Sequence, residues 1–184
     1  MNNSSTECIL GLDISTSITG ATIIQDGKIL KTSFWDTRNK KYFPTIYKKA
    51  HFVKSQLEFL SSEYKISHIY IEQSLHSFRS GFSSAQTLST LSRFNGIVSW
   101  MCWDLFGLDP EMIAATSARK QAGVGIKRGD NAKEKVLQFI IDKYPDIEIQ
   151  YTKHGNPKPG TLDMCDSIII ALAGDKLVRE AQTT

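Results

Sequence analysis

Four carboxylates at the edges of apolar segments are the residues of this sequence best placed to do chemistry. Asp13 closes the apolar run Cys8-Ile9-Leu10-Gly11-Leu12, and Glu72 closes His68-Ile69-Tyr70-Ile71. Asp163 and Asp166 lie at the start of the late run Ser167-Ile168-Ile169-Ile170-Ala171. The i, i+3 spacing of that last pair puts both side chains on one face of a helix. Carboxylates gathered at buried edges repel one another unless a cation sits between them. The pattern predicts a divalent-metal site, and phosphodiester cleavage is the chemistry that most often uses all-carboxylate ligands. Each acid also has a plainer reading: a turn-forming Asp13, a solvated strand end at Glu72, and a first-turn pair favoured by the helix dipole at Asp163 and Asp166.

The elements that must position these acids can be read from hydrophobic periodicity. Residues 8–13 read as a strand buried on both faces because they do not alternate. Residues 15–20 read as a turn of small residues, 21–25 as a second strand, Asp26-Gly27 as a hairpin signal, and 28–35 as a third strand. Helical spacing over 44–64 is followed by a strand over 65–72, a polar loop over 73–83 and a long helix over 84–106. The wide apolar face of that long helix, with Phe94, Trp100, Trp103 and Phe106, suits either a buried central helix or a dimer seam. A short strand over 111–115 leads to a helix capped by Thr116 or Ser117 and ended by Gly123. Asp130 or Asn131 caps a helix reaching Tyr144, and Pro145 stops it. Residues 146–162, with Gly155, Pro157, Pro159 and Gly160, read as a mobile or ligand-ordered loop before a final helix over 163–176. A meander followed by alternating strands and helices argues an α/β fold, a mixed five-stranded sheet flanked by helices.

The bulk properties narrow the classes. At 184 residues, 41% hydrophobic and 22% charged, the chain is expected to fold as one domain over 1–184, with frayed tails at 1–7 and 177–184. The formal net charge of +3 is only mildly basic. It is unevenly distributed, with Lys40, Lys41, Lys48 and Lys49 in one cluster and Arg119, Lys120, Lys127, Arg128, Lys133 and Lys135 in another. The three cysteines, Cys8, Cys102 and Cys165, are widely spaced in apolar surroundings. They read as free buried thiols of an intracellular, reducing compartment such as cytoplasm or nucleoid, or of an organelle or virus-infected cell. No apolar run reaches the ~20 residues of a membrane span. The polar start lacks the pattern of a secretion signal.

Taken in order, Ile9-Leu10-Gly11-Leu12-Asp13, Ser17-Ile18-Thr19-Gly20, Ile71-Glu72-Gln73 and Asp163-Met164-Cys165-Asp166 resemble the RuvC family of Holliday-junction resolvases, in the ribonuclease-H-like superfamily. The stretch from Ser117 to Gly125, with Ala132-Lys133-Glu134-Lys135-Val136 after it, is similar to that family's basic segment, so the likeness spans residues 9 to about 173. The resemblance implies a homodimer that makes paired symmetric nicks in four-way DNA junctions. It also implies Mg²⁺ or Mn²⁺, two ions per site, held by Asp13, Glu72, Asp163 and Asp166. Lys120 and Lys133 fall where the family contacts DNA phosphate, and Arg119, Lys127 and Arg128 extend that basic stretch.

The aromatic that the family often places three residues after the strand-end glutamate is Leu75 here. Phe78 or Phe82 is the expected substitute, since stacking on a base needs only a reachable π-face. The segment over 73–96 is longer than in bacterial members, which leaves room for looser activity on flaps and other branches. His154 is a candidate phosphate contact or proton shuttle, with a solvated loop histidine as the plainer reading. Tyr42, Phe43 and Tyr47 interleave with lysines and suit either nucleic acid or the start of an amphipathic helix. Two other classes remain: a non-cutting, branched-DNA-binding dimer, and an actin-like sugar kinase, whose first phosphate loop residues 11–20 also resemble.

Overall fold

The structure is a computed structural model and describes residues 7–73 and 85–183. Three strands, β1 (Cys8–Asp13), β2 (Ile18–Gln25) and β3 (Lys28–Asp36), form an antiparallel meander. Helix α1 (Ile46–Glu63) leads to β4 (Ile66–Glu72), and α2 (Ala85–Phe106) leads to β5 (Glu111–Ile113). Helices α3 (Ala115–Ala122), α4 (Ala132–Lys143) and α5 (Thr161–Gln182) complete the chain. The sheet order is β3-β2-β1-β4-β5, with β4 parallel to both β1 and β5. This is the expected mixed five-stranded α/β architecture.

Each face of the sheet is covered. Leu10, Leu12, Ile23, Trp35, Ile69 and Ile71 pack against Val53, Leu57, Phe94, Val98 and Cys102 of α1 and α2. On the other face, Ile9, Ile24 and Tyr70 meet Ala118 of α3, Val136 and Ile140 of α4, and the apolar length of α5. Residues successive along β1 therefore point into opposite cores, which explains an apolar run without alternation.

Helix α5 sits against the sheet because glycines let it. A Cβ built on Gly11 would lie 2.5 Å from the Ala171 amide nitrogen, and one on Gly20 would lie 2.0 Å from the Asp163 carbonyl oxygen. No larger residue fits where a helix backbone approaches a strand that closely. A buried hydroxyl chain then fixes the rotation of the helix. Ser167 Oγ donates to the Met164 carbonyl at 2.7 Å and lies 2.8 Å from Thr22 Oγ1, which is 2.9 Å from Thr32 Oγ1.

Several boundaries differ from expectation. Strand β2 begins at Ile18, so the turn after Asp13 is shorter than 15–20; Ser15 closes it, with Oγ accepting from the Ile18 amide at 3.0 Å and donating to the Ile18 carbonyl at 2.7 Å. Neither Thr116 nor Ser117 caps α3: the cap is Ala114, which has no side-chain bond to offer. Gly123 does end that helix, in the left-handed region at φ 84°. The expected loop over 146–162 contains a small hairpin, with Tyr151 bridged to Pro157 and the Thr152 amide bonded to the Asn156 carbonyl at 2.7 Å. Residues 177–182, expected to fray, belong to α5, where Leu177 and Val178 pack against the core. Phe94 is wholly buried in its own core and is no part of a surface seam, whereas Trp100 and Trp103 stay exposed. All three cysteines are free and buried, as expected. No helix among the described residues is long and apolar enough to cross a membrane.

Candidate metal-binding acidic site

Strand order brings the first two acids together. The parallel β1–β4 register ends at Leu12↔Ile71, so Asp13 and Glu72 are the next residues on neighbouring strands. Asp13 also pairs with Gly20 across β1–β2, and Gly20 lies directly beneath the Asp163 carbonyl. The first turn of α5 is thereby laid over the end of β1. Asp166, one turn along the helix, adjoins Ser167, whose link to Thr22 sets the direction of that helix face. All four acids are half-buried, so each keeps an open side.

The electrostatics of the four acids are linked through Asp13. Burial pushes the Asp13 carboxyl well above its ordinary range, and the charges of Glu72, Asp166 and Asp163 push it further, against relief from Lys133. Burial and then Asp166 raise Glu72 to about 7, opposed by Arg119 and Lys133. Asp166 is raised by burial and by Asp163, opposed by Lys133 and then Arg119. Asp163 is raised mainly by burial; its own backbone amide, Lys133 and Arg38 act in the other direction. Acids held this way cannot all ionise in a low-dielectric pocket without added positive charge.

Among the described residues, no group of three or more His, Cys, Asp or Glu side chains is arranged so that it could by itself hold a metal ion. The donor set nonetheless fits a hard divalent cation. It is all oxygen, open on one side, and carries more negative charge than the neighbouring cations relieve. Mg²⁺ uses few protein ligands and retains water or phosphate, which an open edge allows.

The cations expected from the sequence divide into two groups. Lys133 acts on all four acids. Its place is set by Asn131, whose side-chain oxygen accepts from the Lys133 and Glu134 amides and so starts α4 there. Arg119, half-buried on α3, acts on Glu72 and Asp166. Lys120 is exposed beside it, and both line an open cavity of about 580 Å³ with Thr116, Gly123, Val124, Gly125 and Ile126. Lys127 and Arg128 lie exposed in the α3–α4 loop and are not among the charges acting on the acids. His154 is exposed at the hairpin over 151–157 and is not among the charges acting on the acids. Tyr42 and Tyr47 are exposed, while Phe43 packs on Phe52 with ring centroids 5.1 Å apart. Leu75, Phe78 and Phe82 lie outside the described residues.

Sequence reading missed Asp36 and Arg38. Asp36 ends β3 and Arg38 lies just beyond it, and their only signal is position, since nothing in their spacing places them near residue 163. Arg38 relieves Asp163 and Asp36 opposes that relief.

Solved structures share this architecture. A T. thermophilus RuvC in complex with a Holliday junction substrate matches at TM-score 0.68 and 13% identity, over 95% of this chain and 96% of its own. A second T. thermophilus RuvC structure matches at TM-score 0.65 and 14% identity, with the same coverage. The yeast mitochondrial Holliday junction resolvase Ydc2 matches at TM-score 0.64 and 14% identity, over 97% of this chain and 81% of its own. No protein-family profile and no curated protein sequence matches the chain. The likeness therefore rests on three-dimensional structure. It shows that this chain has the fold of the solved RuvC and Ydc2 structures.

Proposed function

We propose that this protein is a metal-dependent endonuclease that resolves four-way DNA junctions by paired symmetric nicks. One observation carries the reading: in a fold shared with solved resolvases, Asp13 and Glu72 end adjacent strands, and the first turn of α5, which bears Asp163 and Asp166, is laid over the end of β1. A nucleotide kinase loop around residues 11–20 has no need of Glu72, Asp163 and Asp166 at the same place.

In this reading Asp13, Glu72, Asp163 and Asp166 hold Mg²⁺ or Mn²⁺, two ions per site. When bound, the ions supply a hydroxide equivalent at neutral pH and positive charge for the leaving 3′-oxygen. The remaining roles belong to the chain. Lys133 and Arg119 draw a phosphodiester toward the acid edge and offset its charge as the transition state forms. Lys120, with Lys127 and Arg128, contacts phosphates further along the duplex. Phe78 or Phe82 stacks on an opened base. The products are 5′-phosphate and 3′-hydroxyl ends that a ligase can seal. The protein acts as a homodimer, one acidic edge per subunit, with the exposed Trp100–Trp103 face of α2 as the seam. The free thiols suit work in a reducing compartment.

The test is a labelled immobile junction incubated with Mg²⁺ and mapped for cuts, beside a linear duplex and a flap. Paired symmetric nicks confined to the junction are the expected result. Equal cutting of flaps would favour a general branch nuclease, and tight binding without any nick would favour a non-cutting junction protein.

A further inference from the structure

A third cation stands at the edge, on the opposite side from Arg119. Arg119 reaches the acids from α3, which follows β5 at one end of the sheet order, and acts on Glu72 and Asp166. Arg38 follows β3 at the other end and acts on Asp163. Its position is anchored at several points. Asp36 pairs with Ile18 across β2–β3, and the Thr37 amide donates to the Ser17 carbonyl at 2.8 Å. These contacts tie the end of β3 to the turn that follows Asp13. Phe34 packs against Gly160, where an added Cβ would lie 2.3 Å from the ring, so β3 also borders the start of α5.

The guanidinium is held as well as placed. Asp36 Oδ1 accepts from Arg38 Nε at 3.0 Å and from the Arg38 amide at 2.9 Å, and Oδ2 accepts from Nη2 at 2.6 Å. Nε also donates to Asp36 Oδ2 at 3.1 Å, so every guanidinium hydrogen bond seen among the described residues goes to Asp36, and the side chain is 49% exposed. An exposed ion pair of this kind adds little stability. A planar fork fixed on one edge leaves its other N–H groups aimed outward, the arrangement that recognises a phosphate. Lys40 and Lys41, two and three residues further on, are exposed as well.

We propose that Arg38, oriented by Asp36, clamps a DNA phosphate neighbouring the scissile one, so that the strand crosses the acids between Arg38 and Arg119. This rests on the nuclease reading above and adds the direction in which the strand runs. Arg38 is a positioning residue in this scheme, and Asp36 positions it in turn.

The test compares wild type with Arg38→Ala, Arg38→Lys and Asp36→Asn on the immobile four-way junction. Binding is measured in Ca²⁺ across a salt series, and nicking in Mg²⁺. Arg38→Ala is expected to weaken binding about fivefold. It should also reduce the slope of log affinity against log salt by about 0.9, the loss of one phosphate contact, with the melting temperature unchanged. Arg38→Lys should restore the slope but only part of the affinity. Asp36→Asn should keep the slope and lower nicking at subsaturating junction. Wild-type affinity and slope in Arg38→Ala overturn the clamp while leaving the nuclease reading intact. A wild-type protein that neither binds nor nicks the junction overturns both.

Discussion

The backbone of Asp163 lies directly on Gly20, so closely that a methyl group on Gly20 would come within 2.0 Å of the Asp163 carbonyl oxygen. Two segments 143 positions apart, the middle of the meander and the first turn of the last helix, are thus stacked backbone on backbone beside Asp13. Gly20→Ala must lift the start of α5. The expected cost is roughly 1–3 kcal/mol of stability from overpacking. The expected loss of nicking is larger, on the order of 10²-fold, because a displacement of about 1 Å misplaces an acid. Thermal melting and single-turnover nicking, measured together, check the prediction. Unchanged nicking would show that Asp163 is not needed where the structure puts it.

Neutralising any one acid should separate binding from cutting. Asp13→Asn, Glu72→Gln, Asp163→Asn and Asp166→Asn are each expected to reduce nicking by at least about 10²-fold. Junction affinity should hold or rise, since each change removes negative charge from a DNA-facing edge. Metal-free Asp13→Asn should also melt higher than metal-free wild type, because burial and three other acids all oppose ionisation of Asp13. Filter binding, nicking and calorimetry test the three parts. Full nicking by any of the variants would remove that residue from the ligand set.

The metal-free protein should lose stability as pH rises through neutrality. Glu72 titrates near 7 in the folded chain against an ordinary 4.5, so the folded state holds that proton more tightly than the unfolded state does. Below about pH 4.5 both states are protonated and the stabilisation is complete. As pH rises through about 7 it is lost. Asp13, Asp163 and Asp166 are raised as well and act with the same sign. Melting in EDTA should therefore be higher at pH 5.5 than at pH 8, and saturating Mg²⁺ at pH 8 should restore the difference through binding to the ionised site. A flat EDTA profile would contradict the crowding of the acids.

Arg119 and Lys120 are neighbours with different outlooks. Arg119→Ala should lower nicking more than Lys120→Ala, because both line the open cavity by Gly123 and Ile126 but Arg119 also relieves Glu72 and Asp166. Lys133→Ala should have the largest effect, since Lys133 acts on all four acids. Ranking the three variants by kcat/KM on one junction gives the measurement.

On the proposed dimer, substitutions in helix α2 should separate folding from association. Phe94 is wholly enclosed, so Phe94→Glu buries an unpaired charge and is expected to unfold the chain. Trp100 is 56% exposed, so Trp100→Glu should leave the fold intact and turn a dimer into a monomer in gel filtration. A folded Trp100→Glu dimer would place the seam elsewhere.

Much of this fold is written locally. Apolar runs, hairpin glycines and caps such as Asn131 and Gly123 act within a few residues, so the order of strands and helices could be read directly. So could the acids at the ends of β1 and β4 and at the start of α5. Local rules failed where packing replaced them. Ala114 starts α3 without a capping side chain, and the last turns of α5 persist because Leu177 and Val178 reach the core. What only the tertiary structure decided is which groups share a place. The sheet order sets Asp13 beside Glu72, the Gly20 and Thr22–Ser167 contacts set the height and rotation of α5, and the end of β3 brings Arg38 to Asp163. These depend on pairings across up to 145 positions, and no short-range preference along the chain encodes their distance.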